Sequence, residues 1–175
     1  MTNLHKPHLD LAFEYWKGWL KPTDTVIDAT CGNGKDTLRL ASLVPQGRVL
    51  ALDIQEDALK NARKIASLDN VSFFLQSHVS FPVSSPVKLI VYNLGYLPFG
   101  DKSITTLSTT TLQSLEAALI WGEAISITCY PGHSEGLIEK NAIFAFLQSL
   151  NREEWKVSIH EWKETSPCLV WIERR

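Results

Sequence analysis

"WKVSIHEWKETSPCLVWIER" (155–174) holds two runs in which apolar and polar residues alternate, 155–163 and 167–174, parted only by "ETS". Alternation with β-branched and aromatic side chains marks both runs as strands. Three residues can turn a chain back on itself. They cannot carry it across a sheet face, which takes a dozen or more residues. The two strands are therefore expected to pair antiparallel, as a hairpin at one end of a sheet.

Upstream of this hairpin the pattern changes. Short apolar runs at 25–29, 48–54, 71–77, 87–94 and 123–130 read as strands. Helical spacing appears at 35–44, 55–68, 107–121 and 134–150. Strand–helix alternation implies parallel strands covered on both faces. The expected fold is α/β, a doubly wound, Rossmann-like, seven-stranded and mostly parallel sheet with a C-terminal antiparallel hairpin. Residues 8–20 add an aromatic amphipathic helix, with Trp16 and Trp19, placed to cover a site or an interface. The pattern fills the chain, so one domain is expected over 1–175, with no segment left for a separate substrate domain.

The composition excludes several classes. The chain has 175 residues, 45% hydrophobic and 21% charged, within the ordinary globular range. A formal net charge of −2 gives no global basic field for a nucleic acid. Cys31, Cys129 and Cys168 are odd in number and widely spaced, which fits neither a disulfide framework nor a zinc site. No bound metal is expected. The start "MTNLHKPHLDLAFEYW" has acids and histidines where a signal peptide needs an apolar stretch, and no run approaches the ~20 apolar residues of a membrane span. A cytoplasmic protein without a membrane segment is expected.

The loop after the first strand, "DATCGNGKDT" (28–37), admits three readings. A phosphate loop would need Gly where Ala29 stands and Ser or Thr where Asp36 follows Lys35. A dinucleotide turn would need a third Gly where Thr37 stands, and Asp28 would repel a pyrophosphate. Acids suit a ligand with cationic groups. S-Adenosylmethionine (SAM) carries a sulfonium and an ammonium, and Gly32 and Gly34 would let the backbone approach it closely. Asp53, at the end of the second strand and 19 residues beyond Gly34, stands where a carboxylate binds ribose hydroxyls. Gln55 can reach the ribose or adenine edge. "QSH" (76–78) ends the third strand, with Ser77 and His78 as candidate adenine contacts.

The acceptor side falls in "NLGYLPFGDKSITT" (93–106), at the end of the fourth strand. Its start, Asn93-Leu94-Gly95-Tyr96, resembles the N-P-P-Y tetrapeptide of methyltransferases acting on nitrogen, without the two prolines. The Asn93 carbonyl can accept from an N–H and aim the nitrogen lone pair. Tyr96 can line the pocket or pack on a base. His133, in "GHSEG" after the fifth strand, is a candidate general base or a helix-entry hydrogen bond. Asp101 or water can take the same proton. Glu135 and Glu139 suit the first turn of the following helix.

These stretches together resemble the compact bacterial rRNA methylase family of class I SAM-dependent methyltransferases, over about residues 3–174. The family contains tRNA wobble-uridine methyltransferases that convert 5-aminomethyl-2-thiouridine to its 5-methylaminomethyl form. The resemblance implies SAM binding by Gly32, Asn33, Asp36, Asp53, Gln55, Ser77 and His78, and an acceptor face from Asn93 to Thr106. It implies the tRNA anticodon arm as substrate, with rRNA or a small-molecule amine as alternatives. A homodimer would let so small and nearly neutral a domain span that arm, and the helix bearing Trp16 and Trp19 is its candidate interface.

Overall fold

Successive residues of each central strand point to opposite faces, and both faces are buried. Val26, Leu89, Val91 and Trp171 enter one core, while Ile27, Ile90, Tyr92 and Ile172 enter the other. A computed structural model describes residues 7–95, 105–163 and 165–175. The elements run α1 (Pro7–Trp19), β1 (Thr25–Asp28), α2 (Lys35–Leu43), β2 (Arg48–Asp53), α3 (Glu56–Ala66), β3 (Val71–Leu75), β4 (Val87–Asn93), α4 (Ser108–Trp121), β5 (Gly122–Cys129), α5 (Ser134–Ser149), β6 (Trp155–Glu161) and β7 (Cys168–Arg174).

The sheet order is β3-β2-β1-β4-β5-β7-β6. Strands β1 to β5 pair parallel, and β7 runs antiparallel to both β5 and β6. The expected hairpin is therefore present, with its second strand inserted next to β5. β1 has β2 on one side and β4 on the other, so the order reverses between β1 and β4. Open α/β sheets bind ligands at such a point, beyond the carboxyl ends of the strands. Asp28, Asp53 and Asn93 are the last residues of β1, β2 and β4.

Helices α1 and α2 cover one face of the sheet, while α4 and α5 pack on the other. No helix joins β3 to β4. The connection instead lays Phe81 and Val83 against the core. On α1, Trp16 is 2% exposed and donates its indole N–H to Ser126 Oγ at 3.0 Å. Trp19 donates to the Lys88 carbonyl, and Tyr15 stacks on Trp171. This corrects the interface expected of Trp16 and Trp19: their indoles pack into their own chain. The three cysteines are free and buried. Among the described residues no helix is long and apolar enough to cross a membrane.

Candidate active site at the carboxyl ends of the strands

The glycine loop is tied to the strand ends by carboxylates. Asp28 is completely buried, with Oδ2 accepting from the Thr37 hydroxyl at 2.6 Å and Oδ1 from the Thr30 amide. Burial, with Asp36 and Asp53 nearby, pushes its carboxyl up to about 7. Direct ligand contact, expected of Asp28, is thus corrected. The side chain is enclosed beneath the loop and reaches a ligand only through its charge and through the residues it holds.

Asp53 closes the loop from the neighbouring strand. Its oxygens accept from the Gly32 amide at 2.8 Å and the Gln55 amide at 2.9 Å. Each carboxylate oxygen has a second lone pair, so Asp53 keeps acceptor capacity for hydroxyls. Its carboxyl is also pushed up by burial. Gln55 is the residue preceding α3, and Asn33 accepts from Asn61 of that helix. Gly34 has φ +82°, and a Cβ there would lie 2.8 Å from Ala62 Cα and Cβ. Only glycine combines that left-handed backbone with so close an approach to α3. Lys35 is exposed, as its first-turn position suggests.

On the other side of the switch point, Asn93 is held twice. Its backbone amide donates to Thr30 Oγ1 at 2.7 Å, and its side-chain amide to Asp36 Oδ2 at 3.0 Å. Asp36 is 8% exposed and its carboxyl is raised, chiefly by burial. Cofactor-side and acceptor-side candidates are therefore joined in one hydrogen-bonded unit. Ser77 lies just past β3, its Oγ accepting from the Val79 amide. His78 is buried, not a surface histidine. Burial lowers it to about 4, so its imidazole is neutral at pH 7, and its Nδ1 has no hydrogen-bond partner.

His133 precedes α5 and caps it, with Nδ1 accepting from the Gly136 amide at 3.1 Å. In that tautomer Nε2 carries the proton, so the neutral ring has no vacant lone pair for a base. This favours the helix-entry reading over the general base. Tyr96 and Asp101 lie outside the described residues. Glu139 corrects its expected role as a helix-dipole acid. It is 3% exposed and accepts from Thr111 at 2.6 Å and Thr106 at 2.7 Å. Thr106 in turn bonds Gly95, so Glu139 pins the point where the two ends of the acceptor stretch meet.

The donor set meets the needs of a cationic nucleoside. Three buried or half-buried acids surround a glycine loop whose backbone is open to close approach, and one buried imidazole nitrogen lacks a partner. Among the described residues no group of histidines, cysteines and acids could hold a metal.

Known proteins share this architecture. The family model described as "Putative rRNA methylase" matches residues 49–173. The chain belongs to this family. It is 37% identical to the chloroplastic tRNA (mnm(5)s(2)U34)-methyltransferase of Arabidopsis thaliana, over 97% of this chain and 70% of that protein. A crystal structure with the family's description, from Clostridium thermocellum, superposes with a TM-score of 0.94 at 36% identity, covering all of both chains. A methyltransferase structure from Streptococcus mutans in complex with SAH superposes with a TM-score of 0.88 at 31% identity, covering 98% of this chain and all of that one. The enzyme is a SAM-dependent methyltransferase of the tRNA and rRNA methylase family.

Thr30, Tyr130, Glu139 and His8 were not among the expected site residues. Thr30 and Tyr130 adjoin strand ends, and that position is the signal that finds them. His8 and Glu139 sit on helices and become legible only once the chain is folded.

The raised carboxyl of Asp28 has a pH consequence. A carboxyl whose folded pKa exceeds its unfolded value favours the protonated folded state. Its stabilising contribution is fully present below about 4 and is lost as pH rises through about 7. A cationic ligand favours the ionised form. SAM binding is therefore expected to release protons near pH 6.5 and to tighten as pH rises through about 7. Calorimetry in buffers of different ionisation enthalpy reads the released protons directly. A SAM affinity independent of pH between 6 and 8 would contradict this.

Proposed function

We propose that the enzyme methylates the primary amine of 5-aminomethyl-2-thiouridine at the tRNA wobble position, giving 5-methylaminomethyl-2-thiouridine. The observation that carries this reading is Asn93. Its amide nitrogen donates to Asp36, which leaves the carbonyl oxygen to accept from an amine N–H. The wobble-uridine activity named for the Arabidopsis relative gives that amine its identity.

In this reading Gly32, Asn33, Gly34, Asp36, Asp53, Gln55, Ser77 and His78 hold SAM, and Asp28 supports the loop from below. When bound, SAM supplies a sulfonium methyl group that the neutral amine nitrogen takes in line, so that an N–C bond forms as the C–S bond breaks. The chain's own task is alignment and desolvation, and orientation effects of about 7–11 kcal/mol are available to such steps. An alkylamine is mostly protonated at pH 7, and a site of low polarity favours its neutral form. The ammonium proton leaves through Asp101 or water. Asn93 then accepts one remaining N–H and turns the lone pair toward the methyl group.

Mass spectrometry of tRNA nucleosides from a deletion strain tests the reading. Accumulation of 5-aminomethyl-2-thiouridine, reversed by the wild-type chain, is the expected result. An unchanged profile in a strain with no second such enzyme would sink it, and a lost methyl group in rRNA would redirect it.

A further inference from the structure

Tyr130 is the first residue beyond β5, and its hydroxyl meets the side chain of Asn93 as a hydrogen-bond partner. The Asn93 amide has two N–H groups. One goes to Asp36. With the other directed at the Tyr130 oxygen, the tyrosine's own proton is available to His8 Nε2, 3.4 Å away on α1. His8 is 6% exposed and meets the Tyr130 ring edge-on at 5.6 Å.

We propose that Tyr130, held by His8, is a positioning residue for the acceptor nitrogen: it takes the second N–H of Asn93, so that the amide offers the substrate only its carbonyl oxygen. The inference rests on the amine-methylation reading above. Asp36 alone does not fix the amide. Its raised carboxyl, when protonated, can donate to a flipped Asn93 as well as an ionised one accepts from the present orientation. A flipped amide would aim N–H groups at the amine and compete for the lone pair that must reach the methyl carbon. Tyr130 breaks the tie. Its proton is directed to His8, so toward Asn93 it acts as an acceptor. The N-terminal helix thereby becomes part of the active site, through a contact spanning 122 residues of sequence.

The test uses the full chain with an anticodon-stem RNA carrying 5-aminomethyl-2-thiouridine. Tyr130→Phe is expected to lower kcat about tenfold, the scale of one neutral hydrogen bond, with SAM affinity and melting temperature unchanged. In the SAM-free protein, Asn93 side-chain amide protons, followed by nitrogen-15 NMR, are expected to exchange faster with solvent. His8→Ala is expected to act in the same direction, and His8→Gln, whose side-chain oxygen can accept from Tyr130, to restore both readouts. Wild-type kcat and exchange in Tyr130→Phe would overturn the proposal. So would losses that follow only a falling melting temperature and are not rescued by His8→Gln. If the wild-type chain leaves this RNA unmethylated, the substrate reading fails, and the exchange rates alone then judge the clamp.

Discussion

Replacing Asn93 with Ala is expected to lower kcat by about 10³-fold, the upper range for removing one polar group aimed at a reacting centre, while SAM affinity falls far less. The substitution removes the carbonyl assigned to the amine and leaves Asp36 Oδ2 without its amide partner in a nearly closed site. The backbone bond from residue 93 to Thr30 survives, because any amide can make it. The strand end should therefore stay in place. Single-turnover rates at saturating SAM, measured beside calorimetric SAM affinity, separate lost alignment from lost binding. A variant that binds SAM and keeps full activity would remove Asn93 from the acceptor site.

Gly136→Ala is expected to be the most damaging small change to the scaffold. A Cβ at this position would lie 2.0 Å from the Tyr130 carbonyl oxygen and 2.8 Å from His133 Nε2. The first obstacle is backbone, so no rotamer change relieves it. The strand exit or the first turn of α5 must move, and the His133 cap moves with it. Overpacking of this kind costs about 3 kcal/mol. For a chain of this size that lowers the melting temperature by roughly 6–12 °C. Because Tyr130 adjoins Asn93, activity of the folded fraction should fall as well. Gly18→Ala is the control. A Cβ there meets nothing within 4 Å inside α1, and the change should stabilise by about 0.5 kcal/mol. Equal melting temperatures for the two variants would show that the contact at Gly136 yields easily.

The sequence by itself determined the layers of the sheet. Period-two runs and helical spacing are local properties, and the three-residue gap before β7 rules out a parallel crossover whatever surrounds it. It also determined the chemistry of the loop, since Asp28, Asp36 and Asp53 oppose a phosphate ligand through charge alone. Tertiary structure decided what those acids touch. Asp28, legible as a ligand contact, is enclosed because Thr37 and Thr30 close over it. Glu139, legible as a helix-start acid, is turned inward to Thr106 and Thr111. His133 became a cap because the chain turns into α5 there. Tyr130 and His8 meet Asn93 only because α1 packs across β5 and β7. Residue type and spacing carry charge and periodicity. Which hydrogen bonds a polar side chain makes depends on distant segments brought within about 3 Å, and that proximity exists only in the fold.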